Sequence, residues 1–264
     1  LYPFYIDVVY LTRDDCDVIE TWTEVSHDEK KPVTLTQFSS GYLPIRRGDV
    51  WLSHLNGAWG NEGHLNQEKL SPGIKTIKNI DGVRNSQNSH SEVMFSLDGK
   101  PDERTGRTIG AALCYSGNFD LSVNTDASAW HRFSAGIDPV NSAYPLRRGE
   151  VFATPALALT YSDAGTSGVS RNFHRWGRKH RLMHGDTPRK VLLNSWEGIY
   201  FDVNEPVVKE MMGDIADMGG ELFVLDDGWF GDKYPRTGDK TGLGDWVIDR
   251  NKLPDGISGL LSAA

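Results

Sequence analysis

The sequence runs to 264 residues with 38% hydrophobic content, enough for one or two domains with a sizeable core. Acidic residues outnumber basic ones 36 to 28, giving a net charge of -8 that opposes nucleic acid and anionic membrane surfaces and is indifferent to a neutral ligand. No run approaches the ~18 apolar residues of a membrane span, and the N-terminus lacks the basic and apolar regions of a signal peptide.

The first residue is Leu1, not Met, so an N-terminal segment is expected to be missing and the compartment stays open, with the cytoplasm favoured. The two cysteines, Cys16 and Cys114, are too few for a disulfide framework and are expected to be buried thiols.

In chain order, the first part offers short β-rich runs separated by turn signals: FYIDVVYLT, CDVIETWTEV, PVTLTQF, TIGAALCYSG and FATPALALTY. Such runs predict a large antiparallel sandwich. Partial alternation of apolar and polar residues over Tyr5–Tyr10 and Val18–Val25 predicts strands with one wet face. NGAWGNEG and SPGIKTIKNIDG are rich in Gly, Asn, Asp and Pro and are expected to be long loops at an end of the sandwich.

Two signals precede the change of pattern. His180 and His184 have metal-ligand spacing, yet the intervening RLM lacks a zinc-protease glutamate, so both are expected to be structural. The basic cluster of Arg175, Arg178, Lys179 and Arg181 is expected at a domain junction, meeting carboxylates.

Near Asp186 the pattern changes. Lys190–Asn194 and Glu221–Leu225 are compact apolar runs without alternation, as parallel strands buried on two faces require. Between them Val207, Val208, Met211, Met212, Ile215 and Met218 recur at helical spacing, with Asn204 as cap, Pro206 in the first turn and Gly219–Gly220 as the stop. The stretch predicts a βαβ unit. Two parallel strands leave uncovered edges, so further strands are expected downstream; the alternative is a small mixed sheet that completes the domain.

At the carboxyl end of the second run stands LDDGWFG, and at the matching end of the first, NSWEGIYFD. Carboxyl ends of barrel strands are where substrates are handled. Paired carboxylates near an indole suit a sugar, because carboxylates accept directional hydrogen bonds from hydroxyls while the ring covers an apolar C–H face. Asp226 and Asp227 are neighbours on a strand and point to opposite sides, so they are better placed to bind two hydroxyls of one ring than to flank one glycosidic bond as acid and nucleophile. An Asp-Asp-Gly run is by itself also an ordinary turn, with Asp226 as its cap and Asp227 solvated. Trp229 and Phe230 are expected to pack beneath the aspartates, and Asp245 and Trp246 either to line the mouth or to sit in a packed loop.

VLLNSWE, then LFVLDDGWFG, then LGDWVIDRNKLPDGI resemble the opening of the catalytic barrel of bacterial family 36 α-galactosidases, and the upstream LSHLNGAWGNEGH, CYSGNF and GIDP resemble the N-terminal β-supersandwich of the same family. The resemblance implies a multidomain β plus α/β chain: residues 1–182 form part of the antiparallel β-supersandwich, and residues 183–264 the first βαβ unit of an incomplete (β/α)8 barrel. It implies retaining hydrolysis of terminal α-D-galactosyl residues in melibiose- and raffinose-type sugars, without a metal or organic cofactor. Asp226 and Asp227 match the pair that binds the C4 and C6 hydroxyls, and Trp196 a wall of the same pocket. Trp59 matches a tryptophan that reaches the sugar site, in some members across a subunit contact within a tetramer; a core tryptophan is the other reading.

The family's nucleophile and acid/base lie on later barrel strands, so no residue here inherits a catalytic role and the fragment alone is expected to be inactive. The partner is a small galactoside, with no nucleic acid or membrane, and the parent is expected to be a homo-oligomer. Two other readings are a galactosyl transferase of the raffinose-synthase type and a non-catalytic galactose-binding module.

Overall fold

The computed structural model describes residues 2–45, 47–82 and 88–264. It divides into two compact units, Leu1–Asp186 and Thr187–Ala264.

The first unit contains strands β1 (Phe4–Arg13), β2 (Val18–His27), β3 (Val33–Leu35), β4 (Gly41–Ile45), β5 (Trp51–Ala58), β6 (Asn61–Lys69) and β7 (Gly73–Asn79). They are followed by β8 (Ser89–Ser96), β9 (Thr108–Leu113), β10 (Phe119–Thr125), β11 (His131–Ile137), β12 (Tyr144–Leu146), β13 (Val151–Ala153) and β14 (Leu157–Ser162). An antiparallel eight-stranded sheet has the order β1-β2-β14-β9-β8-β5-β6, with β13 also on β2, and a second sheet has the order β4-β11-β10-β7. Alternation puts Leu52, Phe95 and Leu157 of the first sheet and Phe119, Leu121 and Phe133 of the second in one fully buried cluster. The Phe95 and Phe133 rings meet edge to face at 5.1 Å.

Three expectations change here. NGAWGNEG is a tight hairpin in which Ala58 pairs with Asn61 across Trp59 and Gly60, and within SPGIKTIKNIDG the alternation of IKTIKN places it in β7. Turn residues were present, but the strands on either side run into them. β1 alternates only in its second half, where Val9 and Leu11 are half-buried between exposed neighbours; in its first half Tyr5 and Ile6, on opposite faces, are both exposed. Of the two cysteines, Cys16 is buried, but Cys114 is only half-buried at the margin of its cluster.

The β-rich reading also passed over a helix, α1 (Gly165–Trp176), which runs on into a π turn at Gly177–Arg181. Val169, Asn172, Phe173 and Trp176 form its inward stripe, with the Asn172 amide donating to Thr160 Oγ1 at 2.8 Å. Gly110 of β9 lies directly beneath: a Cβ there would stand 2.4 Å from Val169 Cγ1 and 2.8 Å from the Phe173 ring. The basic cluster works inside this unit. Arg175 meets Asp17 at 3.4 Å, Lys179 meets Asp15 at 3.3 Å, and Arg181 meets Glu20 at 3.6 Å, fastening the helix end to the β1–β2 hairpin. His180 pairs with Asp15 at 2.9 Å, and His184 lies past the π turn with φ 53°, so the two histidines do not share a helix face.

In the second unit β15 (Leu192–Asn194) and β16 (Leu222–Val224) pair in parallel, joined through α2 (Trp196–Ile199) and α3 (Glu205–Asp217); α4 (Gly256–Leu261) follows. This is the βαβ unit, and its sheet is two-stranded and parallel rather than mixed. Asn204 caps α3 by accepting from the Val207 N–H at 3.1 Å, Pro206 sits in the first turn, and Gly219 at φ 85° follows the end. Val203, Val208, Leu253 and Leu260 are the buried centre, with Met212, Phe223, Leu225 and Trp229 packed on it. The strands are not buried on both faces: Val191, Leu192 and Leu222 are exposed, since one helical layer covers one side of a two-stranded sheet.

Candidate functional site

β15 and β16 run side by side in register, Asn194 opposite Val224, so the residues after them emerge at one end. Ser195 ties the two: its N–H donates to Val224 O, and its Oγ accepts from the Asp226 N–H, both at 3.0 Å. Asn194 then links the strand ends through its side chain. Its amide nitrogen donates to Asp226 Oδ2 at 2.6 Å and its carbonyl oxygen accepts from the Trp196 N–H at 2.8 Å.

Past β16 the chain makes the tight turn that Asp-Asp-Gly allows. Asp226 Oδ1 accepts from the Asp227 N–H and Asp227 Oδ1 from the Gly228 N–H, each at 2.7 Å. Gly228 has φ 100°, a conformation that favours glycine, and a Cβ there would stand a tight 3.1 Å from Phe201 Cα.

Asp227 is further held by Arg236, which donates from Nε to Oδ1 at 2.8 Å and from Nη2 to Oδ2 at 2.5 Å. That fork holds the Asp227 carboxyl below the ordinary carboxylate range, against a smaller opposing push from burial. Lys252 donates to the carbonyls of Phe201 at 2.9 Å, Gly228 at 2.7 Å and Arg236 at 2.8 Å, and burial lowers its own pKa.

Asp226 and Asp227 line an open cleft of about 360 Å³ with Leu225, Trp229, Phe230, Leu243 and Trp246. The Phe230 and Trp246 rings are 4.5 Å apart. Trp229 packs against the core of this unit and Phe230 is buried, but both also line the cleft, so neither lies wholly beneath the aspartates as expected. Asp245 sits in a packed loop, its Oδ2 accepting from the N–H groups of Lys233 and Tyr234.

Trp196 is half-buried, edge-on to Tyr200 at 5.2 Å and to Phe201 at 4.9 Å. It is tied to Asp226 through Asn194 but is not among the residues lining that cleft. Trp59 belongs to the first unit, at the tip of the β5–β6 hairpin, and is 85% exposed, which excludes a core position within that unit.

Sequence reasoning passed over Asn194, Ser195, Arg236 and Lys252. The first two were legible as polar residues where a barrel strand ends. Arg236 and Lys252 carried no such signal, each being one of several cations in polar loop sequence, Arg236 between Lys233 and Lys240 and Lys252 near Arg250.

Among the described residues, Asp15, Cys16 and His180 hold potential metal-ligand atoms within 4.8 Å of one another. The Asp15 carboxylate is already engaged by His180 and Lys179, and burial raises the Cys16 thiol pKa, so the donor set opposes a cation.

Residues 1–147 match the glycosyl hydrolase family 36 N-terminal domain, and residues 151–264 match the melibiase family. The chain belongs to glycosyl hydrolase family 36. Alpha-galactosidase AgaA of Geobacillus stearothermophilus is 38% identical over 213 residues, which are 80% of this chain and 28% of that protein. Alpha-galactosidase C of Emericella nidulans is 33% identical over 253 residues, 95% of this chain and 34% of that one.

The family 36 crystal structure of AgaB from G. stearothermophilus superposes with a TM-score of 0.91 at 32% identity, covering 99% of this chain and 36% of that chain. Other structures show AgaA variants in complex with 1-deoxygalactonojirimycin, raffinose and stachyose. This family 36 chain thus spans about a third of the length of the relatives it matches. Its architecture is theirs: a β-supersandwich followed by the first βαβ unit of a (β/α)8 barrel.

Proposed function

We propose that this chain is part of an α-galactosidase that releases terminal non-reducing α-D-galactosyl residues, with retention, from melibiose- and raffinose-type sugars. The observation that carries the reading is the adjacent pair Asp226 and Asp227 at an open cleft after a parallel strand, in a chain 38% identical over 213 residues to an α-galactosidase.

In this reading Asp226 and Asp227 accept hydrogen bonds from the C4 and C6 hydroxyls of one galactose ring, and Trp196 forms a wall of the pocket. Paired charged acceptors on fixed backbone are the chemistry that selects an epimer by its hydroxyl directions. Asn194 bears the Asp226 side of the pair and Arg236 the Asp227 side. Residues 1–182 act as the supersandwich and 183–264 as the start of the barrel. Trp59, on its exposed hairpin, reaches a sugar site across a subunit contact in a tetramer.

The nucleophile and the acid/base belong to later barrel strands of the parent, so these residues bind and orient and do not break the bond. The test is an assay of the full-length protein on an aryl α-galactoside and its gluco epimer. Release from the galactoside alone supports the reading; no release from it sinks the reading.

A further inference from the structure

We infer that Arg236 is a positioning residue of the sugar pocket, fixing the Asp227 carboxylate so that Oδ2 alone keeps a free acceptor direction; this rests on the galactoside reading above. Each carboxylate oxygen offers about two acceptor directions. Asp227 Oδ1 spends both, on Arg236 Nε and the Gly228 N–H, whereas Oδ2 spends one, on Arg236 Nη2. Asp226 is held differently, by the Asp227 N–H on Oδ1 and the neutral Asn194 amide on Oδ2, with one direction remaining on each oxygen.

The guanidinium is itself immobilised. It is 4% exposed, Nη1 donates to the carbonyls of Gly238 and Thr241 at 2.7 Å each, and its Cζ lies over two rings, 5.1 Å from the Phe201 ring centre and 5.8 Å from that of Phe230. Lys252 binds the Arg236 carbonyl and those of Phe201 and Gly228, so the backbone bearing the cation and the backbone after the acid share one anchor. A planar fork that matches a carboxylate edge and stacks on aromatic rings is a role that lysine cannot fill. Closing the loop would need only the two carbonyl bonds; gripping both oxygens of Asp227 aims the acid at the cleft it lines.

The experiment uses the full-length enzyme with Arg236→Lys, Arg236→Ala and Asp227→Asn, assayed on an aryl α-galactoside with melting measured in parallel. For Arg236→Lys the expected result is a KM raised about tenfold or more with kcat changed much less, since a misaimed acceptor weakens ground and transition states alike. Arg236→Ala is expected to lose more, and added guanidinium ion to restore part of its activity. If Arg236→Lys keeps the wild-type KM, or if both variants melt early while the folded enzyme retains a normal KM and ignores guanidinium, Arg236 only closes a loop and the inference is overturned. These outcomes are separable from failure of the galactosidase reading. If wild type releases no sugar, that reading fails; if wild type is active and Asp227→Asn is impaired while the Arg236 variants behave as wild type, only the positioning role fails.

Discussion

Two carboxylates one residue apart sit in different surroundings, Asp227 under a buried guanidinium and Asp226 beside a neutral amide and a backbone N–H. Each has an acceptor direction left, so each substitution should remove one charged hydrogen bond to substrate. In the full-length enzyme, Asp226→Asn should lower kcat/KM on an aryl α-galactoside by about 10- to 100-fold. Asn194→Ala, which frees Asp226 Oδ2, should act in the same direction and less strongly, with KM as the readout. The place of the aspartate pair at a cleft was legible because two carboxylates after an apolar run carry a chemistry, whereas Trp196, read from the same pattern, lies outside the residues that line that cleft. Arg236 was not legible, because the bond that defines it spans a loop whose path no periodicity predicts.

At the scale of elements, the strands announced themselves through β-branched runs, whereas α1 hid behind Gly165, Thr166, Ser167 and Gly168, poor helix formers at its start. Its inward stripe includes the polar Asn172, which disguised the period. Packing overrides propensity there. Gly110→Ala should push Val169 and Phe173 off the sheet and cost about 1–3 kcal/mol, read as a lower denaturant midpoint.

The helix end depends on Glu20, which is 4% exposed and accepts from Trp176 Nε1 at 3.0 Å and Arg13 Nε at 3.0 Å. Burial pushes its pKa up, but the bonds from Trp176 and Arg13 outweigh it and the net shift is down. Asp15 is lowered to about 2, chiefly by its bond to His180. Both folded-state values lie below the unfolded ones, so the stability they lend is present above the unfolded carboxylate range and is lost as pH falls through the folded values. The hairpin-to-helix fastening should therefore loosen between about pH 4 and pH 2. Hydrogen exchange across residues 165–181 in that window reads it, and unchanged protection at pH 2 would refute it.

For the molecule as a whole, a switch of hydrophobic period near Asp186 signalled a change of architecture, with the expected boundary at 182/183; the contacts divide the chain into Leu1–Asp186 and Thr187–Ala264. Burial was less legible: Val191, Leu192 and Leu222 read as interior residues and are exposed. A run without alternation reports what a strand is built to bury, not what covers it. In the proposed reading Asp226 and Asp227 bind the sugar and do not break the bond, so the 264 residues by themselves should hydrolyse no aryl α-galactoside; turnover that disappears with Asp226→Ala would contradict this. Trp59→Ala should leave melting unchanged, as expected for a residue 85% exposed, and should raise KM only in the assembled full-length enzyme.

The most direct test of the galactose grip is a crystal structure of the full-length protein with bound galactose. The account predicts Asp226 and Asp227 oxygens at about 2.5–3.0 Å from two hydroxyls of one ring. A ring bound elsewhere, or both carboxylates engaged only by Asn194, Arg236 and backbone, would contradict it.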